Sequence, residues 1–332
     1  MEHLDIQDNP EIPAVLIILY RRFKNLQSIT EVVANAKIPR IYLAVDVPPE
    51  HLQSTDYFFE RNESLQNLRQ FCRAKKMELY IWIRRENLGC ARSVLTACQW
   101  FYSNEEFGVV LEDDCIPTPD FFEFISQNRA TFENNDQINF ICGTQHANVV
   151  KSSNSISFLL TSYAFLWGWA TSRKKWKNIA DVFLHPRDYD LHSIKNISET
   201  FYWRTGIRRA LQRRADVWDT VIVGVMALNG LYAILPPRNL VLNQGLDEFA
   251  TNHFANHTKD QWNISISTNN PWQELEQVDS SIRRNFFKIN GTMLLRNSVR
   301  FALDFVTPKK RGSLSEILVS DFQDIPQAYK ES

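Results

Sequence analysis

Three consecutive acidic residues, Glu112, Asp113 and Asp114, are the feature of this 332-residue chain best suited to chemistry, and they directly follow an apolar run at 109–111. Ionised carboxylates at the end of a buried strand repel one another and lose hydration, so a cation or strong donors must compensate. Carboxylate oxygens suit Mg²⁺ or Mn²⁺, which also keep water or phosphate oxygens. The run therefore predicts a divalent metal site. Acids favouring a helix N-terminus are the simpler alternative.

The direction of these side chains follows from the strand. Because side chains alternate along a strand, we expect Glu112 and Asp114 on one face and Asp113 on the other. One carboxylate is then available to a metal while its neighbour accepts hydrogen bonds from a sugar hydroxyl.

An alternating pattern of strands and helices must position this cluster. Short β-rich runs occur at 14–20, 41–46, 79–84 and 108–112, and helical patterns lie between them. This order predicts an α/β fold with a mainly parallel sheet flanked by helices. After the fourth strand, Thr118 is expected to cap a helix that begins at Pro119.

The carboxyl ends of these strands carry further polar residues. In an open α/β sheet, ligands bind in the crevice beyond the carboxyl ends of the strands. Arg92 and backbone N–H groups near Gly89 open a helix and could approach a diphosphate, with a tight turn as the equal alternative. The other strand-end residues that we assign to this crevice are Tyr20, Arg21, Arg22, Asp46 and Asn87.

The second half of the chain has a different pattern. From about residue 130 the alternation ends and aromatic residues dominate, which predicts an acceptor half at about 131–258 packed on a nucleotide-binding half at about 10–130. The remaining residues, 259–332, form a C-terminal extension that we expect to be helical. Its basic, apolar stretch at 283–306 leaves peripheral contact with an anionic membrane open, although a solvated helix face is the commoner explanation.

Composition excludes several classes of protein. A formal net charge of −1 gives no basic surface of the kind that nucleic acid requires. The five cysteines show no C-x-x-C spacing, and no apolar stretch is long enough to span a bilayer. The acidic, polar start of the chain does not resemble a signal peptide. We therefore expect a cytoplasmic protein without a transmembrane segment, with association with the inner face of the membrane left open.

Several stretches together resemble one known family. The segment "VVLEDDCIPTPDFFEF" is similar to the acidic motif of GT-A-fold, nucleotide-sugar-dependent glycosyltransferases, in the family of the Golgi N-acetylglucosaminyltransferase that starts complex N-glycan branching and its bacterial haemolytic-protein-like relatives. The stretches "AVLIILYRRF", "IYLAVD", "FLWGWATSRKKW" and "VWDT" resemble further motifs of that family. The resemblance covers residues 14 to about 255 and implies a GT-A, Rossmann-like fold.

The resemblance also implies roles for individual residues. Asp114 would bind the metal that bridges a donor diphosphate, and Asp113 would contact the ribose. Asp46 would read the base of a UDP-sugar, with Arg21 or Arg22 near the diphosphate. Asp219 would deprotonate the acceptor hydroxyl. The chain departs from the family at Arg21, where the family has an acidic residue, and at Thr220, where it has a second aspartate.

Two assignments compete with structural explanations. Asp219 precedes an apolar helical pattern and could simply cap that helix. His253 could complete the metal shell, but a lone histidine is more often a hydrogen-bonded surface or core residue.

The expected activity is transfer of a sugar from a nucleotide-diphosphate donor to a glycan or other hydroxyl acceptor, with polysaccharide biosynthesis as one setting. Direct displacement would invert the sugar, and a retaining transferase is the mechanistic alternative. A nucleotidyltransferase is disfavoured because the first strand leads into no glycine-rich loop. A catalytically silent, glycosyltransferase-like binding subunit is the non-enzymatic alternative.

Overall fold

The computed structural model describes residues 14–145, 147–151, 157–185, 197–245, 262–266, 271–289 and 313–331. The strands are β1 (Val15–Leu19), β2 (Arg40–Val45), β3 (Glu78–Ile83), β4 (Phe107–Glu112), β5 (Cys115–Pro117), β6 (Ile138–Cys142), β7 (Ala147–Lys151), β8 (Leu159–Thr161), β9 (Trp169–Ser172), β10 (Tyr232–Leu235), β11 (Val241–Asn243) and β12 (Trp262–Ile266).

Helices connect and cover these strands. They are α1 (Phe23–Asn35), α2 (Thr55–Lys75), α3 (Cys90–Asn104), α4 (Pro119–Glu133), α5 (Arg173–Leu184), α6 (Ile197–Leu211), α7 (Asp219–Asn229), α8 (Pro271–Ile289) and α9 (Leu314–Gln323), with a short 3₁₀ turn at Glu50–Leu52. The four strands predicted from the sequence, β1 to β4, are present to within one or two residues.

The main sheet has eight strands in the order β3-β2-β1-β4-β9-β6-β10-β8. Its first four strands are parallel, joined by helical crossovers α1, α2 and α3. β9 then runs antiparallel between β4 and β6, which explains why the regular alternation of the sequence ends near residue 130. The predicted α/β, Rossmann-like fold with a mainly parallel sheet flanked by helices is confirmed.

Both faces of this sheet are buried. In β1, Val15, Ile17 and Leu19 enter one hydrophobic cluster, while Leu16 and Ile18 enter the cluster on the opposite face. A strand that is apolar at every position is typical of a parallel sheet covered by helices on both sides. The strands therefore form a rigid frame, and their carboxyl ends hold the polar residues at one edge.

The acidic run lies between two differently paired strands. β4 belongs to the main sheet, and after a turn at Asp113 and Asp114 the chain enters β5, which pairs antiparallel with β11. Helix α4 begins at Pro119 as predicted, but the hydroxyl of Thr118 forms no cap. It donates instead to the carbonyl oxygen of Leu240, 3.0 Å away, and so fixes the start of α4 to the segment that leads into β11.

The C-terminal extension is helical where α8 and α9 are described, and it also supplies β12, which pairs with β7. Buried Asp279 of α8 accepts hydrogen bonds from the hydroxyls of Thr161 and Ser162. α9 packs against α3, α5 and α6. The extension is thus attached to the sheet at several points. Most of the basic stretch at 283–306 lies outside the described residues.

Two further expectations concern cysteines and membrane spans. All five cysteines are free thiols, so no disulfide bond crosslinks the chain. Across the described ranges, no helix is both long and apolar enough to cross a bilayer.

Candidate active site

The acidic run separates into one buried and two accessible carboxylates. Asp113 is buried, whereas Glu112 and Asp114 are only partly covered. This matches the alternation expected along β4. Glu112 and Asp114 therefore lie partly exposed at the carboxyl end of the parallel strands, the edge where ligands bind in open α/β sheets.

Asp113 organises the loop after β1. Its Oδ2 atom accepts hydrogen bonds from the backbone N–H groups of Tyr20, Arg21 and Arg22, at 2.8, 3.0 and 3.1 Å. Its backbone carbonyl accepts from the side-chain amide of Asn25 at 2.9 Å. The loop between β1 and α1 is thereby fixed to the end of β4. These three N–H groups satisfy Oδ2, and Oδ1 accepts a 3.4 Å hydrogen bond from the guanidinium of Arg22.

Arg22 lies among the carboxylates. Its guanidinium nitrogen is 3.4 Å from Oδ1 of Asp113 and 3.8 Å from Oδ2 of Asp114, and its side chain is 8% exposed. One guanidinium offsets only part of the charge of three neighbouring carboxylates.

The pKa values express this excess of negative charge. Burial, and then the charges of Asp114, Asp113 and Asp219, raise the pKa of Glu112 well above its ordinary value. Burial and then the charge of Asp113 raise the pKa of Asp114. The sensitivity of Glu112 to Asp219 indicates that α7 brings Asp219 to the same crevice.

Asp219 is the first residue of α7. Its carboxylate accepts a 2.7 Å hydrogen bond from the N–H of Thr220, and the N-cap is Trp218, so Asp219 is not the helix cap of the simpler alternative. The residue is exposed, yet burial raises the pKa of its carboxyl.

An aromatic stack fixes the residue before it. Trp218 is buried, with its ring centroid 6.0 Å from that of Trp169, which stacks in turn on Trp176. Trp169 is therefore a core residue.

Asp46 lies at the end of β2 and is 3% exposed. Its Oδ1 atom accepts hydrogen bonds from the N–H groups of Val47 and Leu88, at 3.0 and 3.3 Å. Burial raises its pKa to about 6, although the charge of nearby Arg84 acts in the opposite direction. Tyr20 is half-buried, and burial raises its pKa, with Arg21 lowering it and Asp46 raising it. Tyr20, Arg21 and Asp46 thus share one corner of the strand-end edge.

The remaining residues predicted after β3 have partners within the chain. The side-chain amide of Asn87 donates to the carbonyl oxygen of Val47 at 2.6 Å. Arg92 forms a bidentate ion pair with Asp321 of α9, with both contacts at 2.8 Å. In the structure, Arg92 therefore joins α3 to the C-terminal extension.

Asp216 is the residue of this region that the sequence prediction missed. Its two carboxylate oxygens accept hydrogen bonds from the N–H groups of Cys90 and Ala91, at 2.8 and 2.9 Å. These are the N–H groups expected to approach a diphosphate, and an internal carboxylate holds them instead. The sequence contains one local indication of such a partner. Gly89, at the N-cap of α3, has no side chain with which to cap the helix, so a residue from elsewhere must accept from its first N–H groups.

The accessible carboxylates fit a divalent ion of the predicted kind. Among the described residues, no three His, Cys, Asp or Glu side chains form a metal site by themselves. Mg²⁺, however, is typically held by one or two carboxylates together with water and substrate phosphates. Glu112 and Asp114 offer that number, and their mutual repulsion would be relieved by a cation. His253 lies outside the described residues.

The residues directly after β11 contact Asp114. The N–H of Gln244 donates to the carbonyl oxygen of Asp114 at 2.8 Å. A Cβ atom at Gly245 would lie 2.2 Å from Oδ2 of Asp114. An alanine at this position would require the carboxylate of Asp114 to shift.

Comparisons with known proteins give a distant structural likeness. No protein-family model matches the sequence, and no curated protein does. HddC from Yersinia pseudotuberculosis is similar at 13% identity, over 49% of this chain and 78% of that one, with a TM-score of 0.29. The 4-diphosphocytidyl-2C-methyl-D-erythritol synthase from Anaerococcus prevotii is similar at 9% identity, over 58% of this chain and 84% of that one, with a TM-score of 0.31. The case for a function therefore rests on the carboxylate crevice itself.

Proposed function

We propose that this protein is a metal-dependent glycosyltransferase that moves a sugar from a UDP-sugar to a hydroxyl acceptor with inversion. The observation that carries the proposal is the grouping of Glu112 and Asp114 at the carboxyl ends of the parallel strands, beside Arg22, with the charge of Asp219 near enough to raise the pKa of Glu112. A cationic ligand would relieve the repulsion between these carboxylates, and Asp219, at the start of α7, is exposed to solvent.

The donor would lie along the strand ends. Asp114 and, from the segment after β11, His253 are the proposed metal ligands, with Glu112 beside them. Arg22, whose guanidinium lies 3.4 Å from Asp113 and 3.8 Å from Asp114, is the residue proposed to contact the diphosphate. Asp113 mainly holds the β1–α1 loop in place, and its Oδ1 atom is the one proposed to meet a ribose hydroxyl. The further residues proposed for the donor site are Tyr20, Arg21, Asp46, Asn87 and Arg92.

The chemistry requires charge stabilisation on one side of the sugar and a base on the other. A bound divalent ion would supply Lewis acidity at the leaving diphosphate. Arg22 would add a fixed positive charge near the same group. Asp219 would accept the proton of the attacking hydroxyl, a contribution of roughly 10²–10⁴ in rate for a well-placed base. Its raised pKa makes the carboxylate a stronger base than an aspartate with an ordinary pKa.

An assay of nucleotide sugars tests the proposal. Purified protein is incubated with a panel of donors, Mn²⁺ or Mg²⁺ and simple glycan acceptors, and both nucleotide release and sugar transfer are measured. We expect turnover with UDP-sugars that is lost in Asp114→Asn and kept in Asp120→Asn, an exposed aspartate of α4. The anomeric configuration of the product separates inversion from retention. Binding without turnover would favour a silent binding subunit, and no binding would contradict the proposal.

A further inference from the structure

We propose that Asp216 is a positioning residue for the proposed base Asp219, a role that rests on the function proposed above. The carboxylate of Asp216 is hydrogen-bonded to the first two N–H groups of α3, those of Cys90 and Ala91. Asp219 follows three residues later, at the start of α7. Asp216 thus connects the segment that carries the base to a helix of the main sheet.

The start of α3 is shaped to receive this carboxylate. Gly89 has a φ of +80°, a conformation that favours glycine, and a Cβ atom there would lie 2.6 Å from Oδ2 of Asp216. The first N–H groups of a helix have no partner within the helix and carry partial positive charge. A carboxylate that accepts from two of them is a strong, directional contact.

Helix α3 is itself held firmly against the sheet. Arg84, at the end of β3, is buried and donates to the hydroxyl of Ser93 at 3.2 Å, to its carbonyl oxygen at 2.9 Å and to the hydroxyl of Thr96 at 2.7 Å. The end of β3 and the start of α3 therefore form one unit with the strands that lead to the acidic run.

The segment between α6 and α7 is fixed at two points. Asp216 fixes it to α3, and Trp218 fixes it in the aromatic core against Trp169. Among the described residues, the hydrogen bonds of the Asp219 carboxylate reach only Thr220 next to it. Its location relative to Glu112 and Asp114 thus depends on the packing of α7 against α6 and on the two anchors that fix the turn leading into its first residue. A base displaced by about 1 Å can cost roughly 100-fold in rate.

The test combines kinetics with hydrogen exchange on Asp216→Asn and Asp216→Ala, with Asp324→Asn as the control at an exposed aspartate. Asn keeps one acceptor oxygen, and Ala keeps none. We expect kcat to fall roughly 10-fold for Asn and 100-fold for Ala, with the donor KM nearly unchanged. The rate is divided by the concentration of protein that binds nucleotide, so loss of folded protein does not by itself lower kcat. An unchanged kcat in both Asp216 variants would overturn the proposal.

Hydrogen exchange decides the question independently of turnover. In Asp216→Ala we expect faster exchange at residues 219–223, and Gly89→Ala, which pushes the carboxylate away, should give the same change. Exchange at 219–223 equal to that of the wild type would overturn the proposal even if no donor sugar is ever found. Failure of the donor assay in the wild type would instead contradict the proposed function and leave the exchange result to decide the role of Asp216.

Discussion

Individual carboxylates of the strand-end crevice differ in what surrounds them, and the differences assign their roles. Asp113 is engaged by backbone N–H groups, Asp216 by the start of α3, and Asp46 by the loop after β3. Glu112 and Asp114 remain partly accessible and repel each other. These surroundings make the first three residues organisers of the crevice and leave the others to meet a ligand.

Replacement of Asp219 by Asn tests the proposed base. The Asn side chain still accepts the hydrogen bond from Thr220, so the fold of α7 should persist while the proton acceptor is lost. We expect kcat to fall by roughly 10²–10⁴ with little change in donor affinity. Steady-state transfer rates and nucleotide titrations measure the two quantities. Ordinary turnover in Asp219→Asn would remove it as the base.

Asp46 makes stability depend on pH. Burial raises its pKa from 3.8 to about 6, so folding disfavours the ionised form. The free energy of unfolding therefore contains a contribution from protonated Asp46. This contribution is complete below about pH 4 and is lost as pH rises through about 6, a change of roughly 3 kcal/mol. In Asp46→Asn this contribution is absent. Urea unfolding at pH 4 and pH 7 should therefore show a smaller loss of stability for the variant than for the wild type, and equal losses would contradict the buried, charged carboxyl.

At the scale of elements, the sequence pattern predicted the parallel strands well, because residues such as those of β1 are apolar at every position. It also predicted that the acidic run follows β4 and that a helix begins near Asp219, as the structure has them. It missed the pairing of Asp216 with α3 and of Arg92 with Asp321, which join residues more than 100 positions apart. No local pattern encodes such partners, since they depend on how elements pack.

Gly168 shows how closely these elements approach. It has a φ of +70°, and a Cβ atom there would lie 2.8 Å from Val241 and 3.2 Å from Leu111, so the backbone just before β9 packs tightly against both β11 and β4. Gly230, at a φ of +64°, has no neighbour within 4 Å. We expect Gly230→Ala to cost about 1 kcal/mol of backbone strain and Gly168→Ala about 1–3 kcal/mol more from overpacking. Urea unfolding of both variants measures the difference, and equal costs would contradict the tight contact.

At the scale of the whole molecule, the C-terminal extension belongs to the same folded body as the sheet. α9 packs on α3, α5 and α6, and Glu331 donates its N–H to the carbonyl oxygen of Leu79 at the edge strand β3. The sequence predicted helices here but not their attachment. That attachment matters to function, because Arg92 of α3 is held by Asp321 close to the helix start that Asp216 contacts.

Truncation of side chains in α9 tests this attachment. Leu318 is fully buried, whereas its neighbour Val319 is 46% exposed. We expect Leu318→Ala to destabilise the whole protein by about 2–5 kcal/mol, and Val319→Ala by less than about 0.5 kcal/mol. A single cooperative urea transition that shifts only in Leu318→Ala would show one folding unit. An unshifted main transition would mean that the extension folds separately.

Calorimetric titration with Mn²⁺, in the presence and absence of UDP, examines the acidic crevice most directly. For the wild type and for the control Asp120→Asn, we expect Mn²⁺ binding that UDP strengthens, because phosphate oxygens complete the shell begun by the carboxylates. Asp114→Asn should lose this binding while remaining folded. UDP binding that is indifferent to Mn²⁺ and unchanged in Asp114→Asn, or no Mn²⁺ binding by the wild type, would contradict a metal site at the end of β4.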